Sequence, residues 1–126
     1  TTSDREVVLN QILSAEEIIF FQNTIRKVPV NDNVLEYAVK LVAKTRKDSE
    51  FATDVAKKYV SWGAGPRASQ YLVIGAKTHA VLNGKYSPDI EDVKAVATPI
   101  LRHRLVRNYK AEAEGMSVEQ IIQSIL

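Results

Sequence analysis

GPRASQYLVIGAKTHAVLNG, residues 65–84, is the stretch on which the fold turns. Gly65-Pro66 suits a helix start, because proline's fixed φ and missing N–H fit the first helical position. Ala68, Leu72, Ala76, His79 and Leu82 recur at helical spacing and predict its inner face. Asn83-Gly84 then supplies residues that can end a helix in the left-handed conformation. A helix with one apolar stripe cannot bury itself, so the flanking sequence must supply partners.

Upstream, Phe51, Val55, Tyr59, Val60 and Trp62 are irregularly spaced, and residues 48–64 read as a loop holding a short helical or extended piece. Before them, Asn31 or Asp32 can cap a helix with the stripe Val34, Leu35, Ala38, Leu41, Val42 and Thr45. Ser14-Ala15-Glu16-Glu17 is a capping box that opens a helix carrying Ile18, Phe21, Ile25 and Val28 inward and ending at Pro29. Ser3-Asp4-Arg5-Glu6 has the same spacing and predicts a first short helix through Val7, Val8, Leu9, Ile12 and Leu13.

Downstream, Asp89 can cap a helix with Val93, Val96 and Ala97 inward. Thr98-Pro99 suggests a separate brief turn through Leu101, and Leu105-Val106 suggests extended chain. Ser117-Val118-Glu119-Gln120 is a further capping box, followed by Val118, Ile121, Ile122, Ile125 and Leu126 on one helical face. No period-two alternation lasts long enough to build a sheet. The expectation is one all-α domain over residues 1–126, a small bundle of five to six helices.

Composition agrees with a self-supporting globular domain: 126 residues, 45% hydrophobic and 25% charged, with five Gly and four Pro. Seventeen basic against fifteen acidic residues leave +2, too little to imply nucleic acid or an anionic membrane. The lack of cysteine excludes thiolate chemistry and disulfides. No apolar run approaches the roughly 20 residues of a membrane span. A cytoplasmic protein with no membrane span, no metal site and no nucleic-acid partner is expected.

No GxxxxGK[ST] loop, HExxH or nucleophile elbow occurs, so the chain holds no complete active site. Its sharpest single feature is Arg67, at the second or third position of the long helix. Unpaired N–H groups and aligned dipoles make a first turn electropositive, so a cation there loses a few tenths to about 1 kcal/mol. Either an anion, of which phosphate is the obvious case, reverses that sign, or Arg67 lies over solvent or pairs with a carboxylate.

His79, near the apolar stripe, reads as a hydrogen-bonded, partly buried residue rather than a metal ligand. Arg102-His103-Arg104, continued by Arg107 and Lys110, reads as a solvated basic face or a contact for acidic protein or polyphosphate. Trp62, Tyr71, Tyr86 and Tyr109 read as core or rim packing.

Trp62-Gly63-Ala64-Gly65-Pro66-Arg67-Ala68-Ser69 resembles the second-sensor motif of MoxR-type AAA+ ATPases. Gly84-Lys85, Glu91 to Ala97, Leu101-Arg102-His103-Arg104-Leu105 and Asn108 to Gly115 are similar to later parts of that family's lid, and Leu13 to Ile18, Val28-Pro29-Val30 and Thr45-Arg46 to its opening helices. Gly65 departs from the family's usual serine, removing one hydroxyl that could cap the helix; Lys85 stands where arginine is common.

The resemblance implies a C-terminal fragment of a larger ATPase whose own N-terminal α/β core binds ATP and Mg2+ and hydrolyses ATP in a hexameric ring. The fragment alone is then no enzyme. Arg67 would reach the γ-phosphate of its own or a neighbouring subunit's nucleotide, with Gly65, Pro66 and Ala68 lining the site. It further implies chaperone-like maturation of partner complexes, often with a von Willebrand A-domain protein. The residues themselves leave open a non-enzymatic module that binds protein or nucleic acid through the basic 102–110 segment.

Overall fold

The computed structural model describes residues 7–126 as α1 (Ala15–Lys27), α2 (Asp32–Lys44), α3 (Asp54–Tyr59), β1 (Val60–Trp62), α4 (Pro66–Leu82), α5 (Ile90–Leu101), β2 (Val106–Arg107), α6 (Tyr109–Ala113) and α7 (Val118–Ile125). Helices dominate, as the sequence predicts. The two strands pair antiparallel, Val60 with Arg107 and Trp62 with Val106, around a bulge.

The long helix α4 is the hub. It buries Ala68, Leu72, Ala76 and Ala80, all but one of them small, so α2 and α5 pack close against it. At Gly75 an added Cβ would lie 2.8 Å from Ile100 Cδ1 and 3.1 Å from Val96 Cγ2. The α4–α5 approach therefore depends on a missing side chain. Gly84, just after the cap Asn83, has φ +75° and turns the chain toward α5.

The second half of the core is aliphatic. Ile121, Ile122 and Ile125 of α7 are fully enclosed between α3 and α5, beside Leu101 and Val60. The end of α7 is tied down where Tyr37 Oη donates to the Leu126 carbonyl at 3.1 Å.

Several sequence expectations need correction. Residues 7–12 are not helical, and the Ser3–Glu6 box that predicted a helix there lies outside the described residues. Val7, Val8, Leu9 and Ile12 are all exposed; a short helix with nothing to pack against is marginal in water. Ile18 and Phe21 of α1 are exposed rather than inward. Leu82 is exposed too, because it falls about 200° round the helix from the buried Ala80.

Asn31 caps α2 by backbone geometry without a side-chain bond. α5 runs unbroken through Pro99 to Leu101, the missing N–H being a single lost bond in a well-packed helix. Five to six helices become seven among the described residues, because α3 and α6 are separate short turns. Asn108 accounts for α6: its Oδ1 accepts from the Ala111 N–H at 2.9 Å while its Nδ2 donates to the Lys58 carbonyl at 2.7 Å. One side chain thus starts α6 and staples it to α3.

Candidate functional site

The start of α4 is built on the end of α2. Thr45, fully buried, donates its hydroxyl to the Val42 carbonyl at 2.7 Å and accepts from the Ala64 N–H at 3.0 Å. Gly63 presses on the same turn: a Cβ there would stand 2.5 Å from the Thr45 carbonyl oxygen and 2.8 Å from Arg46 Cα. Backbone atoms cannot swing aside, so position 63 must be glycine for the loop to seat. The Gly63-Ala64-Gly65 segment is therefore held by α2 and does not float.

Gly65 is the N-cap of α4, in ordinary extended conformation, and a Cβ added to it would meet nothing within 4 Å. Conformation does not require glycine there. Its consequence is chemical: no side chain caps the helix, and the first turn holds no acid. Pro66 takes the first helical position and Arg67 the second, both exposed. Among the described residues no ion pair or hydrogen bond takes the Arg67 guanidinium, so the carboxylate partner that was one reading of this residue is not found.

Ala68 is different: it is buried in the core, so its methyl group packs against the bundle and does not line a surface site. Beside Gly65 opens a cleft of about 650 Å3, bounded by Arg46, Asp48, Ser49, Ser61, Trp62 and Gly63. Trp62 is 73% exposed on its rim, which places it outside the core. Tyr86 and Tyr109 are exposed as well.

His79 is partly buried and hydrogen-bonded, as its position predicts. Its Nδ1 lies 2.7 Å from Oδ1 of Asp92, while Lys85 Nζ and the Asp89 N–H reach Oδ2 at 3.0 and 2.9 Å. Burial alone would raise the Asp92 carboxyl, but the backbone N–H of Asp89, His79 and Lys85 together outweigh it and hold the group at about 2. Lys85 thus joins the α4–α5 turn to the buried acid, a job for which one ammonium donor group suffices. Among the described residues no cluster of three or more potential ligands could hold a metal ion.

The basic run is not one continuous face. Arg107 Nη1 donates to the Met116 carbonyl at 2.8 Å, and Arg104 Nη1 to the Ile100 carbonyl at 2.7 Å, while Arg102, His103 and Lys110 are exposed. Sequence reasoning missed two relationships. The signal for the first was a threonine inside an apolar stripe, which needs a hydrogen-bond partner when buried. The second, Arg104 over the Tyr71 ring at 5.0 Å, joins residues 33 positions apart and left no local trace.

The AAA lid domain family model matches residues 52–125. The chain is 34% identical over 116 residues to the chaperone MoxR1 of Mycobacterium tuberculosis, covering 92% of this chain and 31% of that protein. It is 29% identical over 118 residues to the uncharacterized protein YeaC of Bacillus subtilis, covering 94% and 34%. It also resembles the magnesium-chelatase subunit ChlI of Guillardia theta, 39% identical over 51 residues that cover 40% and 14%.

A solved structure of a protein from Cytophaga hutchinsonii assigned as an ATPase superposes with a TM-score of 0.80 at 37% identity, covering 87% of this chain and 33% of that one. The chain spans about a third of the length of MoxR1 and YeaC.

Proposed function

The chain belongs to the AAA lid domain family, in its MoxR branch, and on that premise we propose that it serves as the second-sensor lid of an ATP-hydrolysing ring ATPase. The observation that carries this reading is Arg67: an exposed cation at the electropositive start of the longest helix, with no counter-charge among the described residues. An isolated cation in that place is unfavourable, and a phosphate oxyanion makes it favourable.

Gly65 and Pro66 fit the same role. Gly65 places no side chain over the helix start, so a phosphate can approach the backbone, and Pro66 fixes the φ of the first helical residue. When a nucleotide and Mg2+ are held by an α/β core, Arg67 orients and neutralises terminal phosphate oxygens, and the clamped Thr45–Ala64 loop transmits that contact to α2. The core supplies the phosphate-binding loop and the metal-coordinating acids. Arg67 can serve its own subunit's nucleotide or a neighbour's in a hexameric ring.

Coupling of hydrolysis to maturation of partner complexes, with a von Willebrand A-domain partner and a cytoplasmic location, is the corresponding cellular role. Among the described residues no helix is long and apolar enough to cross a membrane.

In the full-length ATPase, Arg67→Ala should leave nucleotide binding close to wild type and lower hydrolysis by on the order of a hundredfold or more, short of the roughly 10³ to 10⁵ of finger arginines. Steady-state turnover beside equilibrium nucleotide binding measures this. Unchanged turnover would remove Arg67 from the mechanism.

A further inference from the structure

We propose that Arg104 is a second anion-binding guanidinium on the face of α4 that carries Arg67, the two gripping one phosphate chain. The proposal rests on the reading of Arg67 above and extends it to Leu101-Arg102-His103-Arg104-Leu105, a motif that reading leaves without a role.

Tyr71 stands four residues after Arg67 and so shares its face of α4, with Cβ atoms about 5–6 Å apart. Helical side chains lean toward the N-terminus, which lays the Tyr71 ring over the turn of Arg67. Arg104 stacks on that ring, its Cζ 5.0 Å from the centroid. The chain leaving α5 thus returns a guanidinium to Tyr71, one turn on from Arg67 in α4.

Its orientation is set from three sides. Nη1 donates to the Ile100 carbonyl at 2.7 Å and meets the neighbouring His103 imidazole, and the aromatic stack defines the plane. Among the described residues none hydrogen-bonds Nε or Nη2, and no carboxylate pairs with either arginine. Capping α5 needs one donor, whereas a guanidinium offers five in a fork that matches phosphate. Two like charges on one face repel; a shared oxyanion turns that repulsion into affinity.

Inorganic tripolyphosphate is the probe, titrated into 15N-labelled protein at millimolar excess while the arginine Nε–Hε signals are followed. Arg67 and Arg104 should move with one midpoint, and exposed Arg102 should barely respond. Arg104→Ala should weaken binding about tenfold, the size of one charge-assisted contact. Tyr71→Leu should weaken it several-fold by releasing the stack, and Arg104→Lys should recover part of the loss.

A purely structural Arg104 would lower the melting temperature and leave the Arg67 midpoint unchanged. That result overturns this proposal while Arg67 keeps its role. Equal movement of Arg102, or no movement of Arg104, also overturns it, whereas an unresponsive Arg67 counts against the lid reading itself.

Discussion

Ser14 and Ser117 open α1 and α7 with the same reciprocal pair of bonds. Ser14 Oγ accepts from the Glu17 N–H at 3.1 Å and the Glu17 carboxylate accepts from the Ser14 N–H at 2.7 Å; for Ser117 and Gln120 the distances are 3.1 and 2.8 Å. Both helices then carry isoleucines at helical spacing. Yet α7 buries Ile121, Ile122 and Ile125, while α1 buries nothing and leaves Ile18 45% and Phe20 65% exposed. A cap and a stripe can start a helix, but burial needs a second surface.

The contact that α1 does make lies at its far end. Ile25 and Val28 are half-buried there, and Lys77 Nζ donates to the Arg26 carbonyl at 3.3 Å. Its first two turns stand clear of the bundle. If α7 holds the domain together and α1 does not, equal substitutions should have unequal effects.

The largest contrast is between Ile121→Ala and Ile18→Ala. Ile121 is enclosed, so truncation should cost about 3 kcal/mol from lost burial plus a residual cavity. The same change at Ile18 should stay within about 0.5 kcal/mol. Urea unfolding of the two variants measures both; equal losses would mean that α1 belongs to the cooperative core.

Asp92 probes whether the bundle also depends on its enclosed charge, a feature absent from α1. Its folded-state value of about 2 lies below the ordinary 3.8, so the folded protein binds fewer protons than the unfolded chain between those values. The resulting stability is complete above about pH 4 and is lost as pH falls through about 2, with Asp92→Asn costing about 2 kcal/mol at neutral pH. Urea midpoints across that range should show an acid limb in the parent protein that is flatter in the variant.

The finest comparison removes one cap at a time. Ser117→Ala should lower global stability by about 1 kcal/mol. Ser14→Ala removes an equivalent bond, yet it should leave the unfolding midpoint nearly unchanged and instead speed amide exchange in the first turn of α1. A matched drop in midpoint for both would erase the distinction.

Much of the fold was legible because its signals are local. Gly65-Pro66, Asp89 and Ser117 mark helix starts by satisfying, or declining to satisfy, N–H groups within three residues. The order and spacing of residues 62–69 placed Arg67 on its helix without reference to anything distant. Residues 7–12 and Leu82 were misread because apolar spacing states which residues could share a face, not whether that face is covered. α6 escaped because its five residues are too short to show an apolar stripe, although its cap, Asn108, acts locally on the Ala111 N–H and only its tie to the Lys58 carbonyl is distant.

The sequence alone determined that this chain is helical, where its main helices begin, and that a positive side chain stands at the mouth of the longest one. Those properties depend on neighbours within about one turn, where backbone geometry is set. Only tertiary structure decided that the first turns of α1 stay exposed, that Thr45 and Gly63 clamp the 63–65 loop, and that Arg104 comes back to Tyr71. Burial, close approach and stacking join residues far apart in the chain, and they exist only once the helices have packed.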